Sequence, residues 1–231
     1  MDNRYYFSEI HGEQVILTGG EAQHISRVRR CREGDRIVAF NGDGYDYSLV
    51  IDEVMKDKVI ASVISKQINK AYQDTDITVY LAMLKNDALS TAIDHLAELN
   101  VKSVKLFKSD YTIAVIDDKK LDKLKSIATQ ASKQCERADI MDISIIDKKD
   151  IEKDISRYDN RFFAFEDSDQ KISSFTGDFA VIIGPEGGFS REENEHFSRF
   201  CQNISLGKTI LRAEVACISA VSMLKAVKHE S

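Results

Sequence analysis

The eleven glycines of this 231-residue chain fall in two groups, and residues 45–176 contain none. Six lie between Gly12 and Gly44, and five between Gly177 and Gly207. Glycine reaches positive φ at no steric cost, so sharp turns and close backbone approaches concentrate where it does. The interior must therefore turn with other residues and is expected to consist mostly of regular elements. The single proline, Pro185, stands inside the second glycine group. Average usage of about 5% would supply roughly a dozen prolines. The residues that control backbone direction are thus spent at two places, one near each end of the sequence.

Hydrophobic periodicity fills in the rest. Over the first seventy residues the pattern is of short strands with one helix among them: Val15–Leu17, Arg36–Phe40, Tyr45–Val54 and Val59–Ile68. Asn41-Gly42-Asp43-Gly44 is a strong hairpin signal. Thr18 with Glu21 predicts a capping box opening a helix over residues 20–30. Together these predict a compact β-barrel-like module, followed by a polar linker at Asn69–Asp76. From there the rhythm changes. Ile77–Leu84 is a continuous apolar run, as expected of a strand buried on both faces. Helical spacing of Leu89, Ile93, Leu96 and Leu99 follows, then a strand at Val101–Phe107 and a long helix at Lys119–Arg137. Further strands are expected at Ile143–Ile146, Arg161–Phe165, Phe179–Ile183 and Asn203–Leu206, with helices at 190–201 and 213–228. Strands alternating with helices imply a parallel α/β sheet. The division this predicts is a barrel over residues 1–70 and an α/β domain over 71–231.

Bulk properties remove several function classes. The 32 Lys and Arg against 38 Asp and Glu give a net charge of −6, which argues against a polycation that coats nucleic acid. No apolar run approaches the 18 or so residues of a membrane span, and MDNRYYFSEI lacks the basic start and apolar stretch of a signal peptide. A cytoplasmic location is expected. Cys31, Cys135, Cys201 and Cys217 form no CxxC pair, and the five histidines are scattered, so four reduced thiols and no metal are expected.

Three segments could carry chemistry. In Phe179-Ala-Val-Ile-Ile-Gly184-Pro185-Glu186-Gly187-Gly188-Phe189-Ser190, a buried strand enters a glycine-rich turn, and a Ser190–Glu193 capping box opens a helix. Open α/β sheets bind ligands beyond the carboxyl ends of their strands, although a plain strand-to-helix turn would read the same way. Neither GxGxxG nor GxxxxGK[ST] is present, so a dinucleotide or P-loop site is not supported. Ile204-Ser-Leu206-Gly207-Lys-Thr-Ile210-Leu211-Arg212-Ala-Glu214 repeats the strand–glycine–loop–helix logic, and two such units predict one shared pocket. Arg212 opposes the macrodipole of the helix it opens; snorkelling to solvent or pairing with Glu214 are its plainer roles. The helix from Val215 to Val227 is apolar on nearly every side, as a central helix or one buried against a second subunit would be. Finally, His24-Ile-Ser-Arg27-Val-Arg29-Arg30-Cys-Arg32 places four arginines within six residues of an acidic protein. Arginine forks suit phosphate, and a solvated charged face is an equal reading.

The strings IGPEGGFSREE and LGKTILRAE, with HISRVRR and GDRIVAFNGDG, closely resemble the bacterial 16S ribosomal RNA uridine-N3 methyltransferases of the SPOUT superfamily. The resemblance spans nearly the whole chain. It implies a PUA-like RNA-binding barrel over residues 1–70 and an α/β SPOUT domain over 71–231, a parallel sheet closed by a C-terminal trefoil knot. It also implies S-adenosylmethionine as methyl donor, a homodimer, and 16S rRNA of the small ribosomal subunit as substrate. A SPOUT enzyme acting on tRNA and a non-catalytic ribosome-assembly factor are the alternatives. By resemblance, Gly184, Pro185, Glu186, Gly187 and Gly188 form the first donor loop, and Leu206, Gly207, Ile210, Leu211 and Arg212 the second. Phe165 and Glu166 form the third wall. Arg4, Arg27, Arg30 and Arg137 are the expected RNA contacts.

The reaction so implied is methyl transfer to N3 of an unpaired or flipped uridine. As N3 loses its proton, charge develops on O2 and O4, and a cation there would stabilise it. Arg212 is the first candidate, with Arg30 or Arg137 second. Glu214 is a candidate proton acceptor, or else a partner that holds Arg212. The chain departs from the family pattern at Val215, where threonine is usual, at His95 and Asn100, in place of lysine and glycine, and at Arg29 in Val28-Arg29-Arg30. It also lacks a proline after Arg137.

Overall fold

The computed structural model describes residues 4–72, 76–166, 168, 170 and 172–229. The chain divides into two compact units: Met1–Gln73 with Thr129–Ile140, and Asp74–Ala128 with Met141–Ser231.

The first unit is one six-stranded sheet. Its strands are β1 (Arg4–Tyr6), β2 (Ile10–His11), β3 (Gln14–Thr18), β4 (Arg36–Phe40), β5 (Tyr45–Val54) and β6 (Lys58–Ile68), in the order β1-β4-β5-β6-β3-β2. β1 pairs parallel with β4, and every other pairing is antiparallel. Alternation sorts the faces: Val15, Leu17, Leu49, Ile51, Val59 and Ala61 turn inward onto Tyr5 and Phe7. Register shifts at Ser48/Leu49 and Ile51/Glu53 mark irregularities in β5, the kind that bends and twists a strand. β1 carries too few residues to show a period, which is why no strand is expected there from sequence.

The expected 20–30 helix is shorter and wider. α1 covers Gly19–Gln23 and runs into a π-helical turn over His24–Val28, where the Arg29 N–H reaches the His24 carbonyl at 2.9 Å. The Thr18–Glu21 capping box does not form. Thr18 sits at the N-cap without a side-chain bond, and the Glu21 carboxylate is engaged by Lys133 at 2.6 Å instead. The expected linker also begins as an anchored turn. Asn69 is 2% exposed, and its amide donates to Asp46 at 2.7 Å and to the Glu136 carbonyl at 2.9 Å. Residues 73–75 of that stretch lie outside the described residues.

The second unit is a six-stranded, wholly parallel sheet flanked by helices. In chain order its elements are β7 (Ile77–Ala82), α2 (Asn86–Glu98), β8 (Ser103–Phe107), α3 (Asp118–Gln134, whose end is counted with the first unit), β9 (Asp142–Ile145), α4 (Ile151–Ile155), β10 (Asn160–Ala164), β11 (Phe179–Ile183), α5 (Arg191–Phe197), β12 (Gln202–Ile204) and α6 (Ala213–Val227). The strand order is β12-β10-β11-β7-β8-β9, so β11 enters between two strands that precede it in the chain. The central strands β7 and β11 are buried at every residue, as their unbroken apolar runs predict. α2 packs on α6, and the Lys225 ammonium reaches the Leu99 carbonyl at 2.8 Å.

The departure at Asn100 has a structural reason. Asn100 has φ +62°, and its N–H bonds the Ala97 carbonyl while that of Val101 bonds Leu96, both at 3.0 Å. This is the double bond of a helix end closed by a left-handed residue, where asparagine is the usual substitute for glycine. Among the described residues, no helix is long and apolar enough to cross a membrane.

Candidate functional site

Three adjacent parallel strands, β12, β10 and β11, end at the same edge of the sheet, and the segment after each contributes one wall of a cavity of about 280 Å³. After β11 the chain passes through Gly184, Pro185, Glu186, Gly187 and Gly188 before Ser190 caps α5. The Gly188 N–H closes a turn on the Pro185 carbonyl at 3.0 Å, with Gly188 at φ +71°. The predicted capping box forms: Ser190 Oγ accepts from the Glu193 N–H at 3.2 Å, and Glu193 Oε2 from the Ser190 N–H at 3.0 Å.

Gly184 is required by packing. A Cβ there would stand 2.9 Å from the Phe189 ring. That ring is wedged among Phe107, Phe163 and Phe197 at centroid distances of 6.3, 5.4 and 5.2 Å. The aromatic cluster is a firm floor beneath the loop.

The second wall follows β12. Gly207 sits at φ +118°, and Leu206, Ile210 and Leu211 present apolar surface to the cavity. The third wall follows β10. Phe165 bonds the Ile204 carbonyl through its N–H at 3.1 Å and stacks on Phe163, and Glu166 stands exposed at the rim.

Of the twelve residues expected at the donor pocket, ten line this cavity: Phe165, Glu166, Gly184, Pro185, Gly187, Gly188, Leu206, Gly207, Ile210 and Leu211. Two do not. The Glu186 carboxylate accepts from the Lys85 N–H at 3.1 Å, at the start of α2. Arg212 is the exposed N-cap residue of α6. Among the described residues, neither Arg212 nor Glu214 forms an ion pair, so the pairing of these two is not seen.

Sequence reasoning missed Phe189, Asn194, Thr209 and Ala216, which also line the cavity. Asn194 follows Ser190 by one helical turn and so faces back over the loop, and Ala216 stands one turn into α6. That spacing was a usable signal.

The expected RNA contacts separate into two sets. Arg27 and Arg30 are exposed at the π-helical turn, with Arg29 and Arg32 beside them. Arg30 has φ +56°. Arg4 and Arg137 are placed differently, engaged within the first unit rather than on its surface. Arg137 is 1% exposed and grips Asp139 through Nε at 3.1 Å and a terminal nitrogen at 2.8 Å. Arg4 pairs with Asp46 at 2.7 Å, donates to the Arg137 carbonyl at 3.3 Å and lies over the Phe40 ring. Fork-to-carboxylate pairs of this kind are strong where water is excluded.

Several titrating groups in the second unit are shifted, among them two thiols and an ion pair. Burial raises the Cys217 thiol, and pushes Cys201 up to about 12. Asp110 is held below the ordinary carboxylate value, first by the Lys148 ammonium and then by the Ser190 hydroxyl. Lys148 is raised: burial opposes its charge, but its bonds to Asp110 and Glu193 prevail. Among the described residues, no group of three or more His, Cys, Asp or Glu is placed to hold a metal ion.

A family model described as an RNA methyltransferase domain matches residues 71–225, and one described as an RNA methyltransferase PUA domain matches residues 17–64. The Ribosomal RNA small subunit methyltransferase E of Bacillus subtilis is 28% identical, with 95% of this chain and 94% of that protein covered. The protein of the same description from Rickettsia conorii is also 28% identical, over 96% and 95%. Among solved structures, a Legionella pneumophila protein in complex with the bound cofactor SAM superposes with a TM-score of 0.82 at 26% identity, covering 99% of this chain and 98% of that one.

Proposed function

This chain belongs to the RNA methyltransferase family whose domain spans residues 71–225, and from that membership we propose that it transfers a methyl group from S-adenosylmethionine to N3 of one uridine in 16S ribosomal RNA. The observation that carries the proposal is the cavity at the carboxyl ends of β10, β11 and β12, where the two glycine loops meet. Two relatives described as ribosomal RNA small subunit methyltransferase E match over nearly their full length, and the Legionella relative binds SAM; both support it.

The residues present fit such a donor. Ile183, Leu206, Leu211 and Ala216 offer apolar walls for a flat nucleoside base. The glycines carry no side chain, so a donor's polar edge can approach the main chain of both loops closely. Glu166 at the rim suits a ligand that carries positive charge. When bound, S-adenosylmethionine supplies a methyl group on a sulfonium, already a good leaving group, so this chain's work is alignment and charge stabilisation. Arg212, exposed beside the second loop and outside the cavity, is the group that meets negative charge developing on uracil O2 and O4 as N3 gives up its proton. Glu214, two residues into α6, takes that proton directly or through water, or else orients Arg212.

Arg27 and Arg30 bind phosphates of the rRNA from the first unit, and Arg4 and Arg137 support that surface from within. The PUA-like character of that unit is supported by the match at residues 17–64. The chain acts as a homodimer in the cytoplasm, with a C-terminal knot. Support for the dimer is apolar surface in the second unit, where Ile210 is 85%, Val215 41% and Met223 37% exposed.

The test is calorimetric titration with S-adenosylmethionine, then transfer of labelled methyl groups to small subunits from a strain lacking the modification. Label at one uridine N3 of 16S rRNA is expected. Label appearing on tRNA alone would overturn the substrate, and absence of donor binding would overturn the enzyme reading. Arg212→Ala should abolish transfer while donor affinity stays within about threefold, because the side chain is outside the cavity; full activity would remove it from the mechanism.

A further inference from the structure

Three separate segments of the second unit meet at one buried carboxylate behind the first glycine loop. The Glu193 side chain is 3% exposed. Its Oε2 accepts from the Ser190 N–H at 3.0 Å, which closes the capping box. Its Oε1 accepts from the Asp110 N–H at 3.0 Å and from the Lys148 ammonium at 2.9 Å. Asp110 completes the ring: Oδ1 pairs with the same ammonium, and Oδ2 accepts from the Ser190 hydroxyl at 2.6 Å. Of its glutamate side chain a capping box needs only the bond to the N-cap N–H. The two donors on Oε1 come from the segment after β8 and from the turn before α4, so they tie distant chain together rather than cap a helix.

What they tie is the donor loop. Residues 184–189 are held at one end by β11 and at the other by Ser190, which the cluster grips from two sides. Beside Asp110, Tyr111 lies against the loop: a Cβ built on Gly187 would stand 3.6 Å from the Tyr111 Cβ. On the other side of Glu193 in sequence, Asn194 lines the cavity itself. Any shift of the Glu193 carboxylate therefore moves the loop's end, the segment lying against it and a cavity wall together.

We propose that Glu193, Lys148 and Asp110 are positioning residues for donor binding, holding the 184–190 loop in its receiving shape without touching the donor; this rests on reading the cavity as the donor pocket. None of the three lines the cavity, so they act through the loop. The arrangement also says which replacement fails. All three groups facing Glu193 are donors, so both of its oxygens must accept. A glutamine amide has one accepting and one donating end, and in either orientation an N–H opposes an N–H.

The experiment measures S-adenosylmethionine affinity of the full chain by calorimetry, and the KM and kcat of methyl transfer to small subunits, for Glu193→Gln, Lys148→Met and Lys148→Arg. Glu193→Gln and Lys148→Met are expected to raise donor Kd and KM tenfold or more, with kcat at saturating donor within about threefold. Lys148→Arg, which restores a cation able to span both carboxylates, should recover most of the loss. A purely structural cluster would lower the melting temperature and leave donor Kd unchanged well below it; that result overturns the proposal. If Glu193→Gln does not fold, Lys148→Met, at a side chain 34% exposed, decides the matter alone. The unmodified chain is its own control: if it binds no donor, the pocket reading fails and the proposal with it, whereas equal binding by chain and variants overturns the cluster only.

Discussion

Replacing Gly184 with alanine adds one methyl group at the tightest point of the site. The new Cβ would stand 2.9, 3.1 and 3.4 Å from three carbons of the Phe189 ring. Unstrained carbon contacts lie at about 3.5–4.0 Å, so the ring must retreat by roughly 0.6 Å at its closest atom. Phe107, Phe163 and Phe197 surround it, so it cannot retreat freely. Overpacking of this kind costs about 1–3 kcal/mol. Gly184 has no positive φ, so the backbone itself accepts alanine, and the lower entropy of the unfolded chain returns about 0.4–1 kcal/mol. The net expectation is a loss of about 0.5–2 kcal/mol in stability. Because Gly184 and Phe189 both line the cavity, a loss of about 1.4 kcal/mol or more in donor binding, tenfold in Kd, should accompany it. Urea denaturation gives the first quantity and calorimetric titration with S-adenosylmethionine the second. Gly20→Ala is the matched control: within α1, with nothing within 4 Å of the added carbon and no positive φ, it should stabilise by about 0.5–1 kcal/mol. If Gly184→Ala leaves stability and donor Kd as they were, the ring is not the firm floor described, and the steric reasoning is wrong.

Other expectations test separate parts of the structure. Asn100→Gly should stabilise the chain slightly, and Asn100→Ala should destabilise it by about 1 kcal/mol, read from urea midpoints; equal midpoints would deny the left-handed helix end. The lowered Asp110 carboxyl contributes stability that is fully present above the ordinary carboxylate value of about 3.9 and is lost as pH falls through its lower folded value. The melting-temperature difference between the unmodified chain and Asp110→Asn should therefore be constant near neutrality and shrink in acid; a difference that grows in acid would have the wrong sign. Of the four thiols, the half-buried Cys31 and Cys135 should react with a thiol reagent well before the buried Cys201 and Cys217. Rapid loss of all four in the folded chain would contradict the burial of α6.

What could be read from the sequence here is what depends on neighbours along the chain. The Ser190–Glu193 box, the apolar runs of β7 and β11 and the glycine turns after β11 and β12 follow from backbone dihedrals and side-chain periodicity, which act over a few residues. Even the departure at Asn100 obeys a local rule, because asparagine is the side chain best able to follow glycine into the left-handed region. The Thr18–Glu21 box shows the limit of such rules. Thr18 does stand at the N-cap, but no box forms, and the Glu21 carboxylate goes to Lys133, more than a hundred residues away in the chain.

The tertiary structure decided everything that depends on which distant residues become neighbours. Periodicity announces strands but not their order, and only the placing of β11 between β10 and β7 brings Phe165, Gly184 and Leu206 around one cavity. Arg137 is expected from the resemblance to face RNA; only the fold shows its fork closed on Asp139 and shut away from water. Glu193 reads as a capping residue, and its bonds to Asp110 and Lys148 come from segments that meet only once the sheet is assembled. The two glycine groups reported where the backbone must bend sharply, because φ is a local quantity. What those bends enclose was settled by long-range pairing, which no single stretch of sequence contains.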